Sequence, residues 1–162
     1  VGGQLRGEAP MQVVSGRIDR PVVHFEAPER ARLDVELAQF IEWFNASKHD
    51  ASFDPLLRAA ITHLWFVTLH PLDDGNGRIT RLLTDLALAQ AEQQSVRFYA
   101  MSVCILANRK SYYEILEHTQ RGDMDITSWL EWFFNTLEAT FADSLKEKQQ
   151  NIKTDPYDAA NN

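Results

Sequence analysis

The sequence has little cysteine, a deficit of positive charge and no long apolar run. Its one cysteine, Cys104, cannot form a disulfide within the chain, which fits a reducing compartment such as the cytoplasm. Lys and Arg number 16 against 23 Asp and Glu, a formal net charge of −7, so a broad basic face for nucleic acid is excluded. No apolar stretch is long enough to cross a membrane, so no membrane partner is expected.

What remains is the composition of a single globular domain. Hydrophobic residues make up 44% of the 162 residues and charged residues 24%, which is ordinary for a chain with one sizeable core. Residues 1–10 form an irregular, Gly-rich lead-in, and residues 11–145 form the predicted domain. Residues 146–162 are polar and are expected to be a disordered tail.

Residues 70–81 read His-Pro-Leu-Asp-Asp-Gly-Asn-Gly-Arg-Ile-Thr-Arg. They place a histidine, two carboxylates, two glycines that flank an asparagine, and two arginines between two apolar helical patterns. Pro71 disfavours a helical backbone at His70, so the incoming helix should end there. A histidine at a helix exit can reach a cavity, and near its ordinary pKa it can accept a proton at neutral pH. His70 is therefore the candidate general base.

The rest of this stretch suits a metal-bound phosphate. Asp74 offers the hard oxygen that Mg²⁺ prefers. Three residues follow whose backbone N–H groups can turn toward an anion: Gly75, Asn76 and Gly77. A helix beginning near Arg78 adds the positive end of its dipole, and Arg78 and Arg81 share one helix face with forks that fit phosphate oxygens. Together these groups predict phosphoryl or nucleotidyl transfer.

The alternative is a purely structural loop. A Gly-Asn-Gly turn, a helix-capping Asp and solvated arginines would each be ordinary alone, and a lone His is more often structural than catalytic. The joint pattern favours the catalytic interpretation.

The stretch resembles the signature of Fic (Fido) domains, His-Pro-Phe-x-Asp/Glu-Gly-Asn-Gly-Arg-x-x-Arg. Every defining position matches except Leu72, where the family usually has Phe. The resemblance implies transfer of AMP from ATP to a protein hydroxyl, with His70 as base and Asp74 as the Mg²⁺ ligand. It also implies an anion hole at the Gly-Asn-Gly segment and contacts from the two arginines to the outer phosphates.

Two Val-rich segments, 11–15 and 21–25, predict a β-hairpin before the motif. In Fic domains such a hairpin, the flap, lies over the active site and pairs with the target through main-chain hydrogen bonds. The flap candidates are Val22, Val23, His24 and Phe25. The simplest alternative is an extended arm on the helices, with His24 facing solvent.

The remaining periodicity is helical, so we expect an all-α Fic-type bundle of six or seven helices with one hairpin flap. Helices are predicted over residues 29–46, from an Asp54 N-cap to His70, after the motif, and over 101–107, 108–120 and 126–145. Pro28 can open the first helix. Residues 93–99 are expected to be a connection.

An adenine pocket is implied by the resemblance at Tyr112 and Tyr113, although two aromatics here could equally be core and surface. The family often has Asn seven residues after the second Tyr, and this chain has Gln120, which offers the same donor and acceptor on a longer arm.

Three rivals remain to simple AMP transfer. They are removal of AMP from a modified protein, transfer of UMP, phosphocholine or phosphate on the same scaffold, and a non-catalytic binding module.

The family's inhibitory pattern, Ser/Thr-x-x-x-Glu-Gly/Asn, is absent. The nearest match ends at Glu131 but is followed by Trp132. We therefore expect the chain to be active and to label itself or its targets. Any inhibitory segment is expected to lie before Val1 or on a separate antitoxin partner.

Overall fold

The computed structural model describes residues 3–17, 20–92 and 101–153, and it is a helical bundle with one β-hairpin. This confirms the predicted fold class. In chain order the elements are β1 (Gln12–Arg17), β2 (Arg20–Glu26), α1 (Arg30–Ser47), α2 (Pro55–Leu69), α3 (Asn76–Glu92), α4 (Met101–Ala107), α5 (Arg109–Arg121) and α6 (Thr127–Lys153).

Helices α2 and α3 form the most extensive contact between helices in the described part of the chain, and the motif joins them. Asp54 caps α2, because its carboxylate accepts hydrogen bonds from the N–H groups of Leu56 and Leu57, both at 2.9 Å. Pro55 occupies the first helical position, where its missing N–H costs nothing. Both features are as predicted, and they fix where α2 begins.

The main core lies where α6 meets α2. Trp129 and Phe133 of α6 are fully buried, and the indole N–H of Trp129 donates to the carbonyl of Ala60 at 2.9 Å. Trp129 and Phe133 are therefore core, as predicted, and Phe134 packs against them as a partly buried residue. Because the polar edge of Trp129 is satisfied on α2, the two helices are held in one register.

A second cluster packs α1 on α2 around Phe40. The burial of Arg58, an arginine of α2 that is only 3% exposed, was not predicted from the sequence. Its guanidinium donates to the carbonyl of Phe44, to Ser47 Oγ and to Gln90 Oε1, so it joins α1, α2 and α3. Burial of this charge is tolerated because its donors have partners.

The hairpin is antiparallel and contains a β-bulge. Val13 pairs with Phe25 and Val14 with Val23, which leaves His24 as the extra residue on β2. The predicted hairpin is thus present, slightly longer at each strand than its Val-rich segments.

Three expectations need correction or lie outside the described residues. The last helix runs to Lys153, so the polar segment from residue 146 begins as helix: Lys, Glu and Gln are good helix formers and extend α6. Glu29 rather than Pro28 precedes the first turn of α1. The predicted connection at residues 93–99 and the end of the predicted tail lie outside the described residues.

Within the described chain, none of the helices combines the length and apolarity needed to traverse a bilayer.

Candidate active site

His70 ends α2 in a left-handed backbone conformation, with φ 45° and ψ 55°. It is the one residue other than glycine with positive φ in the described chain. Pro71 excludes the helical conformation at His70, as predicted, and the αL geometry turns the chain sharply into the motif. Such a strained residue persists only where its surroundings hold it, and strain of this kind is common at functional sites.

The ring of His70 is set up to accept a proton. Its Nδ1 lies 3.4 Å from the carbonyl of Val67, and since a carbonyl can only accept, Nδ1 carries the hydrogen. Nε2 is then the basic nitrogen, and it makes no hydrogen bond within the described residues. Burial lowers the pKa of His70, the Val67 carbonyl raises it, and the charge of Arg6 lowers it further, for a net decrease. The ring is therefore neutral at pH 7.

The motif loop is clamped by Asn76. Its Oδ1 accepts from the N–H of Leu72 at 2.9 Å, and its Nδ2 donates to the carbonyl of Leu72 at 2.8 Å. Asn76 is 4% exposed. Its side chain is therefore used to shape the loop, and only its backbone N–H can serve the anion hole that we expected.

Two adjacent carboxylates line the site beside this clamp. Asp73 Oδ1 accepts from the N–H of Asp74, and Asp74 Oδ1 accepts from the N–H of Gly75. The Gly75 N–H is thereby used within the loop. Each carboxylate keeps a second oxygen, and one or two carboxylates together with substrate phosphates are the usual set for Mg²⁺. The described residues contain no group of three or more metal-ligating side chains. The two carboxylates therefore fit a Mg²⁺ ion whose other ligands are substrate phosphates, and not a site in which the protein supplies all the ligands.

The first turn of α3 faces the same space. Its leading N–H groups have no partner inside the helix and carry the positive end of the dipole. Arg78 and Arg81 make no ion pair or side-chain hydrogen bond within the described residues. The open cavity of about 350 Å³ is lined by His70, Asp73, Asp74, Gly75, Asn76, Gly77, Arg78 and Arg81. The structure thus brings all the predicted motif residues together around an anion-sized space.

A larger open depression, of about 500 Å³, follows the end of α5 and is lined by Glu114, Glu117, His118, Arg121 and Gly122. It lacks a helix N-terminus, and its arginine, Arg121, is already bonded to Glu117 and to two carbonyls of β2, so it does not suit a phosphate chain. The motif cavity, which is smaller but chemically complete, is the candidate active site.

Tyr112 is buried in the core and is not among the residues that line the motif cavity. Thr84 Oγ1 donates to the carbonyl of Thr80, so it must accept from His63 Nδ1, 3.0 Å away. His63 Nε2 is then the acceptor for the hydroxyl of Tyr112, also at 3.0 Å. This buried chain satisfies every group in it, and Thr80 Oγ1 continues it to the carbonyl of Asn76. His63 is structural, as its place on an apolar helix predicted.

Tyr113 and Gln120 also lie outside the residues that line the cavity. Tyr113 is half exposed, with the guanidinium of Arg109 5.8 Å from its ring centroid. Gln120 Nε2 donates to Thr68 Oγ1 on α2 at 3.1 Å. None of these three residues lines the motif cavity, so the adenine site expected at Tyr112, Tyr113 and Gln120 stays a prediction.

The flap is attached to α5 by a group of charges. His24 Nδ1 lies 2.6 Å from Glu117 Oε2, and Glu117 Oε1 lies 2.9 Å from Arg121 Nη1. Arg121 also donates from Nε to the carbonyl of His24 at 3.0 Å and from Nη2 to that of Val23. The interpretation of His24 as a solvent-facing residue is wrong, because the bulge turns it toward α5. We call His24, Glu117 and Arg121 the flap latch.

The outer face of β2 remains accessible. Val22 is 53% and Val23 37% exposed, while Phe25 is partly buried. The four flap candidates therefore separate into two exposed valines, one latch residue and one packed aromatic.

The lead-in contains a residue that sequence reasoning missed. Leu5 forms a β-bridge with Leu72, and Arg6, only 3% exposed, contacts the motif loop. A lone arginine in a Gly-rich segment carries no pattern that could have revealed it.

Glu131, the nearest match to an inhibitory glutamate, is exposed on α6. No ion pair joins it to Arg81 among the described residues.

Comparison with known proteins places these features in a family. The sequence model of the Fic/DOC family matches residues 3–88. The protein adenylyltransferase Fic of Drosophila virilis is 33% identical over 97 residues, which cover 60% of this chain and 19% of that protein. Protein adenylyltransferase fic-1 of Caenorhabditis briggsae is 34% identical over 89 residues, 55% of this chain and 16% of the relative. The chain thus spans less than a fifth of the length of these relatives.

Solved structures show the same fold. A Fic family protein from Desulfovibrio desulfuricans G20 aligns with a TM-score of 0.67 at 24% identity, covering 78% of this chain and 37% of that one. Residues 134–508 of Fic-1 from C. elegans align with a TM-score of 0.64 at 23% identity, covering 91% and 38%. With the family model matching more than half of its length and with this fold, the chain belongs to the Fic/DOC family.

Proposed function

We propose that this chain transfers AMP from ATP to a Ser, Thr or Tyr hydroxyl of a protein target. The observation that carries the proposal is the shared cavity: His70 lines the same space as Asp74, the first residues of α3 and two arginines that form no ion pair within the described residues. The adenylyltransferase names of the relatives support the same reaction class.

The chemistry assigns one bond made and one broken. The target hydroxyl oxygen attacks the α-phosphorus of ATP, and its proton passes to His70 Nε2. The bond from the α-phosphorus to the bridging oxygen of the β-phosphate breaks, and pyrophosphate leaves with that electron pair. The neutral His70 ring suits proton uptake, because its pKa is held below the ordinary value mainly by burial.

The proposed anion site would act by stabilising the negative charge of the phosphates. The N–H groups at the start of α3 and the forks of Arg78 and Arg81 would hold phosphate oxygens in a fixed position. Preorganised donors of this kind stabilise charge that develops in the transition state. Asp74, with Asp73 beside it, would hold Mg²⁺, which when bound neutralises charge on the phosphates.

The substrate contacts beyond the phosphates are part of the proposal. Tyr113 and Gln120 are the accessible members of the predicted adenine-binding set, while Tyr112 would act from the core beneath them. The exposed edge of β2 at Val22 and Val23 would pair with an extended segment of the target. Cys104, the one cysteine of the sequence, cannot form a disulfide within the chain, which fits a cytoplasmic setting.

The rivals predict different products. Removal of AMP requires a residue that activates water, and the described cavity offers Asp73 as a carboxylate in addition to Asp74. Transfer of UMP or phosphocholine would use the same base and anion site with another group in the outer pocket. The Gly-Asn-Gly-Arg sequence favours AMP transfer, and a binding module has no use for a base beside a metal ligand.

The first test uses ATP labelled at the α-phosphate, Mg²⁺ and cell lysate. We expect label on a lysate protein or on this chain, without further activation, because Arg81 is not held by a glutamate in the described structure. His70→Ala should lower transfer by about 10²–10⁴-fold and leave ATP affinity nearly unchanged in calorimetry. Loss of ATP binding in step with activity would contradict the role of His70. Label from the γ-phosphate instead of the α-phosphate would establish a kinase reaction.

A second test addresses the outer phosphates. Arg81→Met should weaken ATP binding by about 10-fold or more and AMP binding little, because AMP lacks the phosphates that the arginine fork would meet. Arg32→Met, at an exposed arginine of α1 that pairs with Glu36, is the matched control. Equal losses of ATP and AMP affinity would show that Arg81 does not contact the outer phosphates.

A further inference from the structure

Arg6 connects three parts of the protein that meet behind the active site. Its Nε donates to the carbonyl of His70 at 3.0 Å, and its Nη2 donates to the carbonyl of Pro28. Its own carbonyl accepts from Arg30 Nε at 3.1 Å. One buried guanidinium thus joins the base residue to the segment between the hairpin and α1.

The backbone around Arg6 adds to this connection. The N–H of Arg6 donates to the carbonyl of Pro71, and the N–H of Asp73 donates to the carbonyl of Gln4, both at 3.0 Å. The segment Gln4–Arg6 therefore runs antiparallel to the motif loop and donates to two carbonyls on the loop side of the strained turn. Without it, the carbonyls of His70 and Pro71 would lose these partners.

His70 needs such support more than any other residue here. Its left-handed backbone is unfavourable for a residue with a Cβ, so other interactions must hold it. Its own N–H donates to Phe66, which fixes only the helix side of the turn. The bonds from Arg6 fix the opposite side, toward the loop.

Resting on the proposed function, we propose that Arg6 is a positioning residue of the reaction: it holds the turn at His70 so that Nε2 points at the target hydroxyl. A guanidinium is suited to this task because its planar fork can bond two carbonyls at once from fixed directions. An ammonium in its place would keep the charge but could not span both carbonyls in the same geometry.

The charge of Arg6 gives a second, separable effect. The charged or titratable groups around His70 are Arg6 behind the ring and, in the cavity, Asp73, Asp74, Arg78 and Arg81. Arg6 disfavours protonation of the ring, so its neutralisation should raise the pKa of His70. Geometry and charge can therefore be tested with two different substitutions.

The experiment compares Arg6→Met and Arg6→Lys with Arg32→Met, at an exposed arginine of α1 that forms an ion pair with Glu36. For each protein, kcat for AMP transfer, the Kd of ATP and the titration of the His70 ring by NMR are measured. His70→Ala assigns the ring signal. Arg6→Met should lower kcat by about 10–100-fold with the Kd of ATP within about 3-fold, because misplacing a reacting group costs rate more than ground-state binding.

Arg6→Lys should lose kcat similarly but keep the titration midpoint of His70, whereas Arg6→Met should raise that midpoint. Arg32→Met should match the original chain in all three measurements. A kcat of Arg6→Lys within 2-fold of the original overturns the proposal, and so does an unchanged His70 midpoint in Arg6→Met with unchanged kcat. If Arg6→Met does not fold, Arg6→Lys alone decides through kcat.

Failure of the proposed function would give a different result. The unmodified chain would then transfer no AMP, while the NMR titration would still report whether Arg6 governs His70. Failure of the positioning role alone would leave AMP transfer by the unmodified chain intact and Arg6→Lys as active as that chain.

Discussion

At the scale of single residues, Gly75 and Gly77 flank the loop clamp and have different reasons to be glycine. Gly75 has φ 87°, a conformation that side chains with a Cβ rarely adopt, although nothing lies within 4 Å of where that Cβ would be. Gly77 has ordinary helical geometry, but a Cβ there would lie 3.2 Å from Arg81 Nη1. One glycine is required by the backbone and the other by a neighbouring guanidinium.

These reasons predict opposite outcomes for two alanine substitutions. Gly75→Ala should lower the free energy of unfolding by about 1–2 kcal/mol, the cost of a left-handed residue with a Cβ. Gly77→Ala should leave that free energy unchanged or raise it by about 0.5–1 kcal/mol, because alanine favours a helix. It should nevertheless weaken ATP binding several-fold by displacing the Arg81 fork.

Urea unfolding and calorimetric titration of ATP measure the two effects. Each variant serves as the control for the other, since both add one methyl group to the same loop. If Gly77→Ala bound ATP as tightly as the original chain, the placement of Arg81 would not depend on the small residue beside it.

At the scale of elements, the flap is held from the side by α5. A two-stranded hairpin alone is at best marginally stable in water. The flap latch supplies it with two hydrogen bonds to main-chain carbonyls of β2 and a bridging carboxylate on a bulged histidine. Because Arg121 bonds carbonyls of Val23 and His24, it also limits which atoms of β2 are available to a target strand.

Release of the latch should loosen the flap without disturbing the bundle. Arg121→Met is expected to speed hydrogen exchange of the β2 amides by about 10-fold or more while the amides of α2 and α3 keep their rates. Lys110→Met is the control, because Lys110 forms only an exposed pair with Glu114 on the same helix. Unchanged exchange in β2 would mean that packing of Phe25, and not the latch, holds the flap.

At the scale of the whole molecule, the features predicted correctly from the sequence are those that depend on helix or strand periodicity and on residues close together in the chain. The cap at Asp54, the helix end at Pro71 and the grouping of Asp74 with Arg78 and Arg81 all follow from neighbours in sequence. The motif therefore specified the cavity almost completely. The hairpin and the aromatic core of α6 followed from strand and helix periodicity in the same way.

The parts that could not be predicted depend on contacts between distant residues. Arg6 meets His70 across 64 positions, and Arg121 meets His24 across 97. Neither arginine stands in a pattern, and the bulge that turns His24 toward α5 has no signal in the sequence. The burial of Tyr112 likewise depends on its partner His63, 49 positions away.

That His63–Tyr112 pair makes the stability of the molecule depend on pH. Burial, with a smaller effect of the Arg81 charge, lowers the pKa of His63 to about 3 in the folded protein, whereas its ordinary value is 6.5. Below pH 6.5 the unfolded chain therefore binds a proton that the folded chain does not. Stability from the neutral ring is complete above pH 6.5 and is lost progressively as the pH falls toward 3.

The free energy of unfolding should consequently fall by about 2 kcal/mol between pH 7 and pH 5 through His63 alone, at about 1.4 kcal/mol per pH unit below 6.5. The lowered pKa of His70 adds in the same direction. Urea unfolding at several pH values measures the loss, and His49→Asn, at an exposed histidine, should reproduce it. His63→Asn should be less stable at pH 7 and lose less on acidification. Should that variant not fold, NMR of the original chain decides: a His63 ring that titrates near pH 6.5 would show that it is not protected by the network.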